Sequence, residues 1–216
     1  MKKLLLAGLA LCLITPLAQA ESALDKGDVL LRAGPALIDP ESDGLQVTGL
    51  GTISADSAVG LAFNVEYMFA RNFGVELLAS LPFTHDLQLN GTKIGETKHL
   101  PPTLSINYHL PLGAFVPYVG VGVNWTIFYD EKLDSSLDSV LLLDDSIGLA
   151  GQIGLDWILG NNLVINANVR YVSIETDAVI GGDLPLALTS GASSVAALGT
   201  VKINPWIYGL NIGYKF

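Results

Sequence analysis

The sequence predicts an all-β fold, an eight-stranded antiparallel transmembrane β-barrel of the outer membrane, and three observations carry that expectation. Composition is the first. Half of the 216 residues are hydrophobic, 15% are charged and mean hydropathy is +0.47, against about 25% charged in soluble domains. The second is that no helical span survives inspection. Residues 99–129 and 184–201 lack Asp, Glu, Lys and Arg over a membrane-spanning length, but the first contains Pro101, Pro102, Pro111 and Pro117 and the second is rich in Gly, Ser, Thr and Ala. The third is a recurring period of two. Backbone groups in hydrocarbon must pair internally, so a chain that is not helical there must close into a barrel.

The elements follow in order. Lys2-Lys3, the apolar run Leu4 to Leu13 and the small-residue site Ala18-Gln19-Ala20 read as a signal peptide over 1–20, removed to leave one domain over 21–216. Cys12 sits inside that run after Leu11, where a lipoprotein would need a small residue, so no lipid anchor is expected. Without Lys2 and Lys3, nine basic residues face 21 acidic ones, a formal charge of −12. So acidic a chain with no basic stripe excludes nucleic acid as a partner.

The first strand is expected near 29–36. Leu61, Phe63, Val65, Tyr67 and Phe69, then Phe73, Val75, Leu77, Ala79, Leu81 and Phe83, form one face of a hairpin about Arg71-Asn72. Further strands are expected over 103–110, 118–129, 147–157 and 163–176. In 118–129, Val119, Val121, Val123 and Trp125 point to lipid while Gly120, Gly122, Asn124 and Phe128 point inward. The last strand alternates Trp206, Tyr208, Leu210, Ile212, Tyr214 and Phe216 with Ile207, Gly209, Asn211, Gly213 and Lys215. That makes eight.

The connections near 71–72, 111–114 and 159–162 are short, whereas 39–56, 86–98, 130–146 and 175–199 are long. Outer-membrane barrels keep short turns in the periplasm and long loops outside. The long loops hold 15 of the 21 acidic residues, read as a solvated outer face. One stretch, 178–197, is apolar for an exposed loop, with Val179, Ile180, Leu184, Leu186 and Leu188.

Several segments resemble the outer-membrane protein W family over nearly the whole mature chain. They are Gly74 to Ala79, His99-Leu100-Pro101-Pro102-Thr103-Leu104, Pro117-Tyr118-Val119-Gly120, Ala150 to Gly154, Pro205-Trp206 and the terminal Gly213-Tyr214-Lys215-Phe216. The resemblance implies an eight-stranded barrel in the bacterial outer membrane with a narrow apolar lumen, passage of small hydrophobic molecules and, in some members, use as a bacteriocin receptor. A terminal Phe216 is shared by many barrels and implies the barrel-assembly machinery as a partner. The other partners expected are outer-membrane lipid and lipopolysaccharide, with the chain a monomer.

The inward face can be read independently. Its charges are Arg32, Glu66, Glu76, Asp156, Arg170 and Lys215, expected to pair as a polar plug at the periplasmic end because the bore is narrow and unpaired buried charge is costly. Arg170 stands where the family pattern tends to be aromatic. Two roles fit it, a partner for Glu66 or Glu76 or a selector of anionic amphiphiles. Above the plug, Leu78, Tyr118 and Phe128 with Gly60, Gly120 and Gly122 are expected to line a less polar upper lumen. Pro35, Pro101 and Pro102 remove ladder donors, which marks them either as points of lateral opening or simply as strand ends and bulges.

A plugged bore disfavours a general porin. The function expected is passage of small hydrophobic molecules with lateral release into the bilayer; the alternative is a barrel whose loops serve as a structural or receptor platform. No catalytic residue, cofactor or metal site is expected. Ser105 and His109 lie about 13 Å apart along one strand, too far for a nucleophile and its base, and His85, His99 and His109 show no metal spacing and read as interfacial or loop residues.

Overall fold

The computed structural model describes residues 23–41, 45–47, 51–133, 139–160, 162–182 and 195–216. The segment 1–20, expected to be a signal peptide, lies outside them, as do Leu184, Leu186, Leu188, Asp134 and Asp138. Strands follow wherever apolar residues alternate with small or polar ones. The first, β1 (Val29–Asp39), buries Leu30, Arg32, Ala36 and Ile38 and exposes Leu31 and Leu37. Short β2 (Leu45–Val47) and β3 (Gly51–Ala55) occupy the first long connection, and β4 (Ala58–Ala70) and β5 (Phe73–Ser80) form the hairpin about residues 71–72. A ribbon of β6 (Phe83–Leu89) and β7 (Thr92–Leu100) precedes β8 (Thr103–His109) and the long β9 (Phe115–Leu133). Then come β10 (Ser139–Leu143), β11 (Ser146–Ile158), β12 (Leu163–Val172), β13 (Glu175–Gly182), β14 (Val195–Lys202) and β15 (Trp206–Lys215).

Eight of these close on themselves in the order β11, β12, β15, β1, β4, β5, β8, β9, with β9 pairing back onto β11. All neighbours are antiparallel. Closure leaves no free edge, which is what hydrocarbon demands of a sheet. Outside, Val121, Ile147, Leu149 and Leu210 are more than 60% exposed, as lipid-facing side chains must be. Aromatic rings girdle both ends. Phe73 with Tyr108 and Phe115 with Trp157 sit at the turn end, their centroids 5.2 and 5.6 Å apart, and Tyr171 with Trp206 at the loop end, 5.1 Å apart.

Three elements differ from their expectation. The long connections continue the wall as β-structure: β9, β7, β6, β3 and β2 form one sheet edge, and β10, β13 and β14 a separate three-stranded sheet. The strand expected over 163–176 stops at Val172 and resumes at Glu175. Phe83 points inward and is 3% exposed, because Pro82 ends the run that began at Phe73 and the alternation restarts in opposite phase.

The wall has two interruptions. On β1, Ala33 pairs with Ile212 and Ala36 with Gly209, while Gly34 and Pro35 make no registered pair with β15. A wider one lies between the hairpins. The β5–β8 ladder ends at Leu78 with Thr103 and the β6–β7 ladder begins at Phe83 with His99, so residues 79–82 and 100–102 do not pair with each other. At the first interruption the backbones crowd: a Cβ on Gly34 would lie 2.0 Å from the Leu210 carbonyl oxygen. Gly34→Ala is therefore expected to destabilise the barrel by about 1–3 kcal/mol through overpacking, read as a lower urea midpoint of tryptophan fluorescence in lipid vesicles; an unchanged midpoint would mean that the seam can spread.

Candidate functional site

The bore is filled in layers, and register determines which residues share one. At the turn end, Leu30, Met68, Val116, Ile158 and Val164 form an apolar cap with Leu24, which is fully buried. Leu24 reaches in from the segment before β1, whose Gly27 amide donates to the Met68 carbonyl at 2.8 Å and whose Asp28 carbonyl accepts from the Met68 amide at 2.9 Å. The expected polar plug is thus not the last layer; an apolar one lies beneath it.

Directly above the cap lies a layer of ionised groups. Glu66 and Glu76 face each other across the β4–β5 ladder, an arrangement of like charges that is destabilising by itself. Arg32 offsets it. Its Nη1 lies 2.9 Å from Glu66 Oε2 and 3.5 Å from Glu76 Oε2, and its Nε and Nη2 donate to Asp156 Oδ1 and Oδ2 at 2.9 and 2.6 Å. Arg170, on β12 and therefore diametrically opposite β5 in the ring of eight, donates to Glu76 Oε1 at 2.6 Å and to Gln152. Between them these side chains cross the full width of the bore. Of the two roles open to Arg170, the contact it makes is the structural one.

Neutral groups complete the layer. Asn107 Nδ2 donates to Glu66 Oε1 at 2.8 Å, His109 Nε2 lies 2.7 Å from the same oxygen, and Asn166 Nδ2 donates to Asp156 Oδ1 at 2.8 Å. His109 is fully buried and engaged by Glu66, not interfacial. Tyr118, expected in the upper lumen, belongs here as well: its hydroxyl accepts from Asn166 at 3.1 Å and its ring lies under the Arg32 guanidinium at 5.7 Å. Lys215 does not. It sits at the rim, 3.3 Å from Asp28 and partly exposed.

The glycines expected to leave space are in fact occupied by their neighbours. A Cβ on Gly120 would meet Asn107 Oδ1 at 2.0 Å, one on Gly122 the Leu104 carbonyl oxygen and Ser105 Oγ at 2.4 Å, and one on Gly60 the Phe83 ring at 2.5 Å. Above the ionised layer, Leu78, Phe83, Phe128, Val172, Ile174 and Ile207 form an apolar stratum. Between it and the ionised layer is a cavity of about 20 Å³, lined by Leu78, Phe83 and Pro101, beside the wider wall interruption, and also by the polar Asn64, Asn168 and Arg170. The Pro101 and Pro102 carbonyls accept from Asn124 Nδ2 at 3.1 and 3.2 Å and the Pro102 carbonyl also from the Trp125 amide at 2.9 Å, so this segment is tied to β9, on the side away from the interruption.

Higher still, between the two loop sheets, lies an apolar chamber of about 50 Å³ lined by Ile53, Leu87, Phe128, Leu143, Ala178 and Val201, with His85, Thr97 and His99 among them. Four rings form a column at its floor: His85 stacks on His99 at 4.8 Å, and His99 on Phe83 at 5.8 Å and beside Phe128 at 5.9 Å. Burial pushes the His99 imidazolium down to about 3, helped by the neighbouring His85, and burial likewise lowers His85 against the opposing pull of the Asp56 carbonyl and the Asp56 and Asp86 charges. Sequence reasoning missed this column. The only available signal was that β6 and β7 continue alternation into a loop, which puts Phe83, His85, Thr97 and His99 on one face.

Comparison with known proteins places this architecture. The OmpW family matches residues 25–216. Outer membrane protein W of Vibrio cholerae serotype O1 is 36% identical over 207 residues, 90% of this chain and 91% of that one. The crystal structure of the outer membrane protein OprG from Pseudomonas aeruginosa superposes with a TM-score of 0.79 at 36% identity, covering 91% of this chain and 99% of that one. A dibenzothiophene metabolism operon protein, PahQ of Pseudomonas aeruginosa, is 28% identical over 179 residues, 81% of this chain and 79% of that one.

Two outcomes follow from the layers. Arg32→Met leaves Glu66 and Asp156 without their main counter-charge and is expected to cost about 3–5 kcal/mol in urea unfolding from vesicles; a loss under about 1 kcal/mol would mean that the layer does not depend on Arg32. For His99, the folded state disfavours the proton and the unfolded chain, with an ordinary value of 6.5, does not. Stability is then full above pH 6.5 and declines as pH falls toward 3, and His99→Phe is expected to flatten that part of the pH–stability curve.

Proposed function

This chain belongs to the OmpW family, outer-membrane β-barrels of bacteria, and from that premise we propose that it carries small hydrophobic molecules from the cell exterior into the hydrocarbon of the outer membrane by a lateral exit. One observation carries the reading: an apolar chamber lies between the loop sheets, while the bore beneath it is shut by ionised side chains and then by an apolar cap. A molecule that enters from outside cannot continue to the periplasm. Crossing the ionised layer would strip charges of their partners.

The exit proposed is the gap between residues 79–82 and 100–102. It adjoins the mid-lumen cavity and lacks ladder bonds, so little has to break for the strands to part there. Phe83, inward and stacked on His99, stands between chamber and cavity as the side chain that must swing aside. Transfer from water through this route into lipid is favourable by about 25 cal/mol per Å² of apolar surface. The relative named for dibenzothiophene metabolism supports an apolar cargo. Pro35 offers a second, narrower interruption, but there the backbones are in close contact.

Replacing both Pro101 and Pro102 by Val restores two backbone donors, of which the one at 101 can face the gap while the one at 102 faces β9. Uptake of dibenzothiophene by intact cells carrying that variant is expected to fall several-fold with the amount of folded barrel unchanged; unaltered uptake would move the exit elsewhere.

A further inference from the structure

Of the polar side-chain atoms that line the outer chamber, two are buried without a partner among the described residues, and passage of a plain hydrocarbon does not use them. His85 Nδ1 lies 2.5 Å from the Asp56 carbonyl oxygen. A carbonyl only accepts, so Nδ1 carries the proton, and in a neutral ring Nε2 is then a bare lone pair. That Nε2 and Thr97 Oγ1 are buried and make no hydrogen bond with any described residue. Both residues are 4% exposed.

They are also neighbours. His85 and Thr97 are registered directly opposite in the β6–β7 ladder and both turn into the chamber, which sets their Cβ atoms about 5 Å apart. An acceptor and a hydroxyl at that spacing, among Leu87, Ala178, Val201 and Phe128, are costly to leave unpaired. Among the described residues no Asp, Glu, Lys or Arg lines the chamber. Lys93 and Lys98 on the same hairpin are partly exposed and held by Asp86, Glu96 and Asp130. An anionic or cationic head would find no counter-charge among the described lining residues.

We infer that the chamber recognises a neutral hydroxyl group on a small apolar molecule, an alkanol or a phenol, whose O–H donates to His85 Nε2 and whose oxygen accepts from Thr97 Oγ1. A ketone lacks the donor and an alkane lacks both. The volume of about 50 Å³ takes a head and its first carbons, leaving the tail to run toward Phe128 and Phe83. This rests on the uptake reading for why an apolar molecule is there at all, and adds which class is held.

The test uses the full chain in lipid nanodiscs with ¹⁵N-labelled histidine and ¹³C-labelled Leu and Ala methyl groups, titrated with 1-octanol, 2-octanone or octane at equal mole fraction in lipid. 1-Octanol is expected to shift the His85 Nε2 resonance and the Leu87 and Ala178 methyls, with His109, shut in the ionised layer, unmoved as the reference. Octane and 2-octanone should move the methyls alone. Thr97→Val, nearly isosteric, should weaken 1-octanol about five- to tenfold, the loss of one hydrogen bond, and His85→Phe should erase the preference over octane. If all three compounds move the methyls and none moves Nε2, hydroxyl recognition is overturned while apolar uptake stands. If none moves the methyls, the uptake reading fails at this chamber and the inference with it.

Discussion

A backbone that crosses hydrocarbon has to hydrogen-bond to itself, and the rest of this molecule depends on that constraint. With only strands available, the eight have to close, and the pairing of β9 back onto β11 completes the ring. Closure makes every residue face either lipid or bore. Period-two alternation then divides one sequence into two solvents' worth of side chains, and a ring of eight is so narrow that the inward set must pack as a core. The two stretches where the ladder lapses stand out against that background, since each is a place where the general rule is suspended.

Filling the bore creates its own problem. Glu66 and Glu76 are forced opposite one another by the β4–β5 register, and Asp156 adds a third carboxylate from the far wall. Arg32 touches all three and Arg170 takes the remaining oxygen of Glu76. An apolar filling could supply the same stability, but the paired charges fill the bore from wall to wall. Above it the lumen turns apolar and the loop strands enclose a chamber. The ionised layer and the apolar cap beneath it thus separate that chamber from the turn end of the bore.

Particular residues show how far a linear reading extends. Arg32, Glu66, Glu76, Asp156 and Arg170 were legible as one group because strand phase and distance from a turn place each of them. Lys215 has the same phase yet pairs with Asp28 at the rim, because being next to the chain end lets its long side chain leave the bore. Tyr118 was misplaced by one layer: inward phase was right, but height depends on the stagger between β9 and β11, which places Gly154 against its ring. Gly60, Gly120 and Gly122 look like empty space in a sequence. In the fold each is the socket for a neighbour's side chain.

What the sequence determined by itself was everything governed by local period and composition: the number of barrel strands, which face of each meets lipid, which end carries the long connections, and the family. The tertiary structure alone decided the heights of the layers, the apolar cap made with Leu24, the inward turn of Phe83 after Pro82, and the meeting of His85, Thr97 and His99 in one chamber. The physical reason is that alternation is a property of consecutive residues, whereas stagger and loop pairing are set by contacts between residues far apart in the chain, and no local signal records them.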